Sequence, residues 1–350
     1  MTQRKGVGFA LTAAVLFGVS APAAKALLAS ATPQLLAGLL YVGSGLGLAL
    51  VSLWRGRPKQ QREATLTRRD LPWLGAAILF GGGLAPVLML VGLAHTPASS
   101  GSLLLNLEGV FRALLAWIVF RENVDRRIAI GMFAIVLGGL ALSWEGKLDW
   151  GGIGGPFAIA GACACWAVDN NLTQRVSGGD PVQIAMLKGL VAGTVNGTIA
   201  MLSGATLPDA THAAAALLLG FVSYGLSLVL FVRALRFLGT ARTAAYFSVA
   251  PFVGAAVSLV ALSERPTIPF WIAAALMGLG IWLHLTERHE HQHVHEAIEH
   301  DHAHTHDEHH QHAHSPNDPP GEPHSHPHRH EPLAHSHQHF PDIHHRHSHK

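Results

Sequence analysis

LAHTPASSGSLLLNLEGVFRALLAWIVFRE, residues 93–122, is apolar enough to enter a lipid bilayer, yet it carries Glu108 and Arg112 near its middle. On a helix these two side chains share one face, because they are four positions apart. An ion pair at bilayer depth is expensive, and it usually faces the interior of a helix bundle or a water-filled path. The stretch therefore predicts a membrane-spanning helix with a functional polar face.

Apolar runs of this kind recur along most of the chain. Of the 350 residues, 49% are hydrophobic and 13% are charged, and the charges lie in short clusters between runs of about 18–25 residues, which is the length that crosses the hydrocarbon core. We therefore expect an all-α polytopic membrane protein with ten transmembrane helices. The predicted spans are residues 6–28, 34–54, 71–94, 97–120, 127–144, 152–172, 182–203, 212–235, 240–262 and 267–286.

The distribution of Lys and Arg predicts the orientation, because cytoplasmic loops carry the excess of positive charge. With a cytoplasmic N-terminus, the inward connections hold most basic residues, whereas the outward ones hold Lys147 and Arg265. Ten spans then place the C-terminus in the cytoplasm as well. We expect a bacterial-type inner (plasma) membrane protein.

The first stretch has an echo about 142 positions further on, RFLGTARTAAYFSVAPFVGAAVSLVALSERP, in which Glu264 falls where Glu122 falls. Two halves of five spans have opposite orientations because five is odd, which is the inverted-repeat plan of many secondary transporters. The predicted units are residues 1–144 (spans 1–5), residues 145–288 (spans 6–10) and a tail, 289–350. Pro22, Pro86 and Pro251 lie inside spans and predict kinks or broken helices.

Two segments resemble the repeat of a known family: SSGSLLLNLEGVFRALLAWIVFRE (99–122) and ARTAAYFSVAPFVGAAVSLVALSE (241–264). They resemble the EamA-type branch of the drug/metabolite transporter superfamily, over about residues 6–286. The first departs from the usual pattern, with Glu108-Gly109 where the second has Ala250-Pro251. The resemblance implies a secondary transporter with a central cavity between the halves. Members are reported to export amino acids, metabolites, nucleotide sugars or drugs.

The sequence does not indicate an enzyme. It has no GxxxxGKS or GxxxxGKT loop to bind a nucleotide, no nucleophile–base constellation and no cofactor motif, so we expect no required cofactor.

Polar residues inside the spans are candidates for the substrate path: Glu108, Arg112, Asp169, Asn170, Lys188, Asn196 and Trp166. Glu108 and Arg112 either bind a charged solute or exchange a proton, with a structural ion pair as the alternative. Asp169 and Asn170 lie at the inner end of span 6, where a wet helix end is the alternative. Lys188 and Asn196 lie eight apart on span 7, and we expect them to meet Asp169 across the hairpin of spans 6 and 7. For Lys25 and Lys188, snorkelling to lipid headgroups is the alternative.

The tail from residue 289 to 350 has a different composition, with 23 of the 26 histidines and almost no apolar residues. It is expected to be disordered without a ligand. Imidazoles interleaved with carboxylates suit Ni²⁺, Zn²⁺, Co²⁺ or Cu²⁺, at diffuse and overlapping sites. A solvated, pH-responsive tail with incidental metal affinity is the alternative. The candidate metal ligands are His291, His293, His295, His302, His304, His306, His309 and His310.

The sequence favours the first of three functions, and the other two are alternatives. The first is an exporter of a small organic solute such as an amino acid or metabolite, with a metal-binding or metal-sensing tail. The second is a transporter of a divalent metal (Ni, Co or Zn) or metal complex, although Arg112 and Lys188 would repel a bare cation. The third is a membrane-anchored metal buffer or sensor. The expected partners are a small-molecule substrate, the lipid bilayer and divalent metal ions at the tail, with a second copy of the chain as a candidate and no nucleic acid.

Overall fold

The computed structural model describes residues 2–55, 68, 70–120, 126–143, 150–176 and 180–286, and the tail segments 290–295, 298–304, 324–330 and 333–338. Glu122 and three tail histidines (His306, His309 and His310) lie outside the described residues. Within the described part of 2–286 all regular elements are helical, and six helices are long and apolar enough to cross a membrane. The prediction of a polytopic α-helical membrane protein is confirmed.

The elements of residues 2–143 are α1 (Thr2–Gly18), α2 (Ser20–Leu27), α3 (Pro33–Arg55), α4 (Leu71–Ala77), a π-helical segment π1 (Ile78–Leu84), α5 (Ala85–His95), α6 (Ala98–Leu104), α7 (Leu107–Phe120) and α8 (Arg126–Ser143). Those of residues 150–285 are α9 (Trp150–Val176), α10 (Pro181–Leu202), α11 (Ala210–Leu219), a second π-helical segment π2 (Gly220–Leu226), α12 (Ser227–Phe247), α13 (Ala250–Ala261) and α14 (Ile268–Leu285).

The interior prolines lie just after interruptions of the helices, as predicted. The break between α1 and α2 precedes Pro22, π1 precedes Pro86, and the break between α12 and α13 precedes Pro251. The cause is common to all three, because proline has no N–H and its ring clashes with the carbonyl four residues before it.

The structure differs from the predicted spans at two places. Span 4 is interrupted between α6 and α7, where Asn106 donates its side-chain amide to the Leu103 carbonyl at 2.8 Å. Such local bonds let Asn compete with the helix ladder. The connection predicted between spans 8 and 9 is instead helical, because α12 continues through it. A lone glycine, Gly239, costs only about 1 kcal/mol in a helix.

Helices of the first predicted half pack on helices of the second half, and the pattern of contacts is similar when the two halves are interchanged. α3 packs on α10, α8 on α14 and α6 on α13, while α5 packs on α9 and α1 on α12. Glycines allow the close approach: a Cβ at Gly38 would lie 2.7 Å from the Gly197 nitrogen, and one at Gly280 would lie 2.6 Å from the Gly131 carbonyl. Two halves related by a twofold axis would pack in this way, and the plan of ten spans in two inverted repeats stays a prediction.

The tail segments pair as antiparallel strands, which differs from the predicted disorder. β1 (Glu290–His295) pairs with β4 (Leu333–Gln338), and β2 (Ile298–His304) pairs with β3 (His324–His330). The alternation of histidine with other residues matches the two-residue period of a strand. A two-stranded ladder is only marginally stable by itself in water.

Candidate functional site

The candidate site is organised by the backbone carbonyls of π1. The Ala85 N–H bonds to the Phe80 carbonyl, five residues back. It therefore does not bond to the Gly81 carbonyl, four residues back, as it would in an α-helix. The next residue, Pro86, has no N–H and supplies no bond to Gly82, four residues back, or to Gly81, five back. Both glycines are buried, and a buried carbonyl without a donor costs about 1–3 kcal/mol. Side chains from other helices must therefore supply the donors.

Three side chains supply them. The Tyr41 hydroxyl donates to the Gly81 carbonyl at 2.6 Å, and the Trp166 indole N–H donates to the same oxygen at 3.2 Å. Asn196 donates to the Gly82 carbonyl at 3.0 Å and accepts a bond at 2.9 Å from Gln34. Helices α3, α9 and α10 thus converge on π1.

An ion pair lies against the same segment. The Lys188 ammonium is 2.6 and 2.7 Å from the two oxygens of Asp169, and the side chains are only 14% and 8% exposed. The Thr173 hydroxyl donates to Asp169 at 2.9 Å. The Asp169 carboxylate packs directly on Gly81, where a Cβ would overlap it. The pair joins α9 to α10 and fits only because π1 has a glycine at this point.

A second ion pair is more open to solvent. Arg112 lies 3.2 Å from Glu108, and the two side chains are 49% and 21% exposed. Asn170 donates to Glu108 at 2.8 Å, which connects α9 to α7. Glu108 lies in the first turn of α7, where the helix dipole favours a negative charge. Glu108 thus has two side-chain partners from two helices, and its cationic partner Arg112 is the more exposed of the two charged groups.

The structure brings most of the predicted site residues together. Lys188 meets Asp169 as expected, and Asn170, next to Asp169, reaches Glu108. Asn196 does not bond to Asp169; its amide goes to π1 instead, as does the Trp166 indole. The seven candidates thus form two adjacent groups along one end of α9.

Three residues of the site were not predicted from the sequence, Tyr41, Gln34 and Thr173. Their signal is weak: Tyr41 is a single phenol in the apolar run of α3, and Gln34 lies at the start of that helix. Tyr41 is required by the loss of helix bonds before Pro86, which that proline and the run Gly81-Gly82-Gly83 indicate, whereas Gln34 supports Asn196.

The tail strands place candidate metal ligands opposite one another in register. The facing pairs are His291 with His337, His293 with His335, His300 with His328, His302 with His326, and His304 with His324. Alternate residues of a strand share a face. Among the side chains that the structure describes, no three His, Cys, Asp or Glu residues form a group that could hold a metal ion.

Comparison with known proteins identifies two segments of one family. The model of the EamA-like transporter family matches residues 4–144 and again residues 153–286. An uncharacterized transporter of Methanothermobacter thermautotrophicus is 29% identical over 287 residues, which cover 78% of this chain and 84% of the relative.

Two further similarities are narrower. The probable 4-amino-4-deoxy-L-arabinose-phosphoundecaprenol flippase subunit ArnE of Pseudomonas fluorescens is 35% identical over 105 residues, covering 30% of this chain and 87% of that subunit. A chain of known crystal structure aligns with a TM-score of 0.58 at 18% identity, covering 80% of this chain and 95% of that one. The latter similarity concerns the fold alone.

Proposed function

Because the chain belongs to the EamA-like transporter family of the drug/metabolite transporter superfamily, we propose that it is a secondary transporter that exports a small organic solute across the inner membrane. In this proposal ten spans form two inverted halves, both termini are cytoplasmic, and the histidine-rich tail binds or senses metal.

The Asp169–Lys188 pair on π1 is the observation that carries the proposal. It presents an anion and a cation at the meeting point of three helices, and it abuts a segment whose helix bonds are already broken. Interrupted helices with free backbone groups are where transporters place substrate sites. A solute with both charges, such as an amino acid, can replace both partners: its carboxylate binds Lys188 in place of Asp169, and its ammonium binds Asp169 in place of Lys188.

The neighbouring Glu108–Arg112 pair extends the path. Arg112 is half exposed and Glu108 is held by Asn170 as well, so Arg112 can leave without stranding the carboxylate. We propose that Glu108 exchanges a proton during transport once Arg112 has moved. In the Glu108→Gln variant the transport rate should no longer depend on pH; an unchanged pH profile would reject this role.

Transport of a divalent metal is the alternative, favoured by the facing histidines of the tail. The core disfavours a bare cation, because Glu108 and Asp169 each already have a cationic partner. A membrane-anchored metal buffer does not transport, so it would not need ion pairs inside its membrane spans.

The test is uptake into inside-out vesicles by the full chain and by a chain that ends at Arg288. Labelled amino acids, ⁶³Ni²⁺ and ⁶⁵Zn²⁺ are offered separately. We expect a labelled amino acid to accumulate equally with both chains, since the family match ends at residue 286. Accumulation of metal alone, and only with the intact tail, would overturn the organic-solute proposal.

A further inference from the structure

Opposite charges hold the turn between α5 and α6 from its two sides. Lys25, at the end of α2, donates to the Leu93 carbonyl and, at 3.2 Å each, to the carbonyls of Ala94 and Thr96. The sequence leaves snorkelling to lipid headgroups open for this lysine, whereas in the structure its ammonium bonds to protein carbonyls. A cation at these last carbonyls of α5 matches the negative end of the helix dipole.

Glu264 holds the other side of the turn. One carboxylate oxygen accepts the Ala98 N–H at 2.7 Å and the other accepts the Ser99 N–H at 2.9 Å. These are the first N–H groups of α6, which have no partner within the helix. Glu264 comes from the connection between α13 and α14, in the second family segment, so the contact joins the two halves of the chain.

The backbone beside Glu264 is bent to make this contact. Ser263 has φ of 52°, and among the described residues it is the one non-glycine residue with a positive φ. This conformation is unfavourable for a residue with a Cβ, and it persists where surrounding contacts enforce it. The bidentate bond of Glu264 to α6 is such a contact.

The corresponding place in the other half is built differently. Ala98 and Ser99 plus 142 positions are Thr240 and Ala241, which lie inside the uninterrupted helix α12. The turn therefore exists at one end of the bundle and has no equivalent in the described part of the other. Alternating access in a transporter of inverted repeats moves one half against the other, so a contact between the halves that exists at one end can hold that end closed.

We propose that Lys25 and Glu264 form the outer gate of the transport path, closed in this structure. The inference rests on the proposed function, since a gate has meaning only for a transporter. A cavity of about 600 Å³ lies against the gate, lined by residues of the α5–α6 turn, Pro156 and the segment Glu264–Phe270, and it leaves room for the turn to move. Opening requires Glu264 to release α6, after which α6 separates from α13.

The experiment measures how accessible a single cysteine is on each side of the membrane, in a Cys163→Ala, Cys165→Ala background. Ser102→Cys lies one turn into α6, is 1% exposed as serine and packs on Gly254 of α13. Asn170→Cys lies on the exposed end of α9 near Glu108. A membrane-impermeant maleimide is applied to whole cells for the first reporter and to inside-out vesicles for the second.

The gate predicts opposite changes at the two reporters. Glu264→Gln should raise labelling of Ser102→Cys from outside by about fivefold, the population change that loss of one capping interaction gives. The same variant should lower labelling of Asn170→Cys from inside, and Lys25→Gln should act in the same direction. Arg265→Gln, the neighbouring exposed charge, is the matched control and should change neither.

Unchanged labelling in Glu264→Gln would overturn the gate. So would a rise at both reporters, since that indicates a loosened structure instead of an exchange between two states. Labelling needs no solute, so this result is independent of whether any offered solute is transported.

Discussion

The two π-helical segments occupy equivalent places in the two halves, and they are stabilised in different ways. Ile78 to Gly220 and Leu84 to Leu226 are the same step of 142 residues. At the same step from Pro86 lies Leu228, which has an N–H. In π2 the residue after the segment, Ser227, bonds five residues back, to Val222, just as Ala85 does in π1. The difference is the next residue, because Leu228 has an N–H to offer the preceding carbonyls and Pro86 has none. The proline therefore explains why only π1 recruits Tyr41, Trp166 and Asn196.

The second segment, π2, is stabilised mainly by close packing. Gly220 packs directly on the Leu40 backbone, and the Tyr224 ring lies 5.7 Å from Tyr41 and 6.0 Å from Phe17, centroid to centroid. Just after it, Ser227 donates to the Ala13 carbonyl at 2.9 Å. π1 thus has polar and charged contacts, whereas π2 is stabilised mainly by packing. Under the proposed function, π1 contacts the solute and π2 is a packing element.

The largest expected effect comes from leaving Asp169 buried without its partner. Lys188→Met should lower the free energy of unfolding by about 3–5 kcal/mol, because an uncompensated charge remains in the protein interior. Thermal unfolding in detergent measures the loss. The exposed pair of Asp209 and His212 is the control, where His212→Met should cost little. Equal losses at both pairs would contradict the burial argument.

The next comparison adds one methyl group to each π segment. Gly220→Ala should destabilise by about 1–3 kcal/mol or more, because the added Cβ meets the Leu40 backbone, which has little room to move. Gly81→Ala meets the Asp169 side chain, which is bonded to Lys188 and cannot move without disturbing that buried pair, so it should lower stability and impair transport as well, whereas Gly220→Ala should lower stability alone. Gly83→Ala, with no atom nearer than 3.7 Å, is the control for both. Transport by Gly81→Ala at the parent rate would separate π1 from function.

A double-mutant cycle tests the role of the proline directly. Asn196→Leu leaves the Gly82 carbonyl without its donor and should cost about 1–3 kcal/mol. In a Pro86→Leu background the restored N–H can serve that carbonyl, so the cost should shrink. The unfolding free energies of the four proteins give the coupling. Strict additivity would show that Asn196 is not compensating for Pro86.

The smallest expected effects concern single hydroxyls. Tyr41→Phe and Ser227→Ala each remove one hydrogen bond, worth about 1 kcal/mol. The two variants should therefore be similarly stable, but Tyr41→Phe should slow transport and Ser227→Ala should not. Equal transport rates would remove the functional difference between π1 and π2.

The sequence predicted the parts of this arrangement that depend on local chemistry. Apolar runs give the helices, interior prolines give the breaks, and spacing along α10 brings Lys188 towards Asp169. It did not predict the π conversion or Tyr41, because donors for the freed carbonyls come from helices distant in the chain. Nor did it predict that Glu264 caps α6, 165 residues away, since such a bond depends on tertiary packing. Asn106 was a usable sign of the break in span 4, through the affinity of Asn for nearby backbone.

The most direct measurement is transport by the neutral double variant Asp169→Asn, Lys188→Gln. The two amides can still bond to each other, so the variant should fold. Its unfolding temperature should be close to that of the parent protein, unlike that of Lys188→Met. The control is Asp209→Asn, His212→Gln at the exposed pair. The account predicts that the first double variant loses solute transport at normal stability while the control keeps it. Parental transport by a protein with neutral residues at 169 and 188 would contradict the assignment of the site.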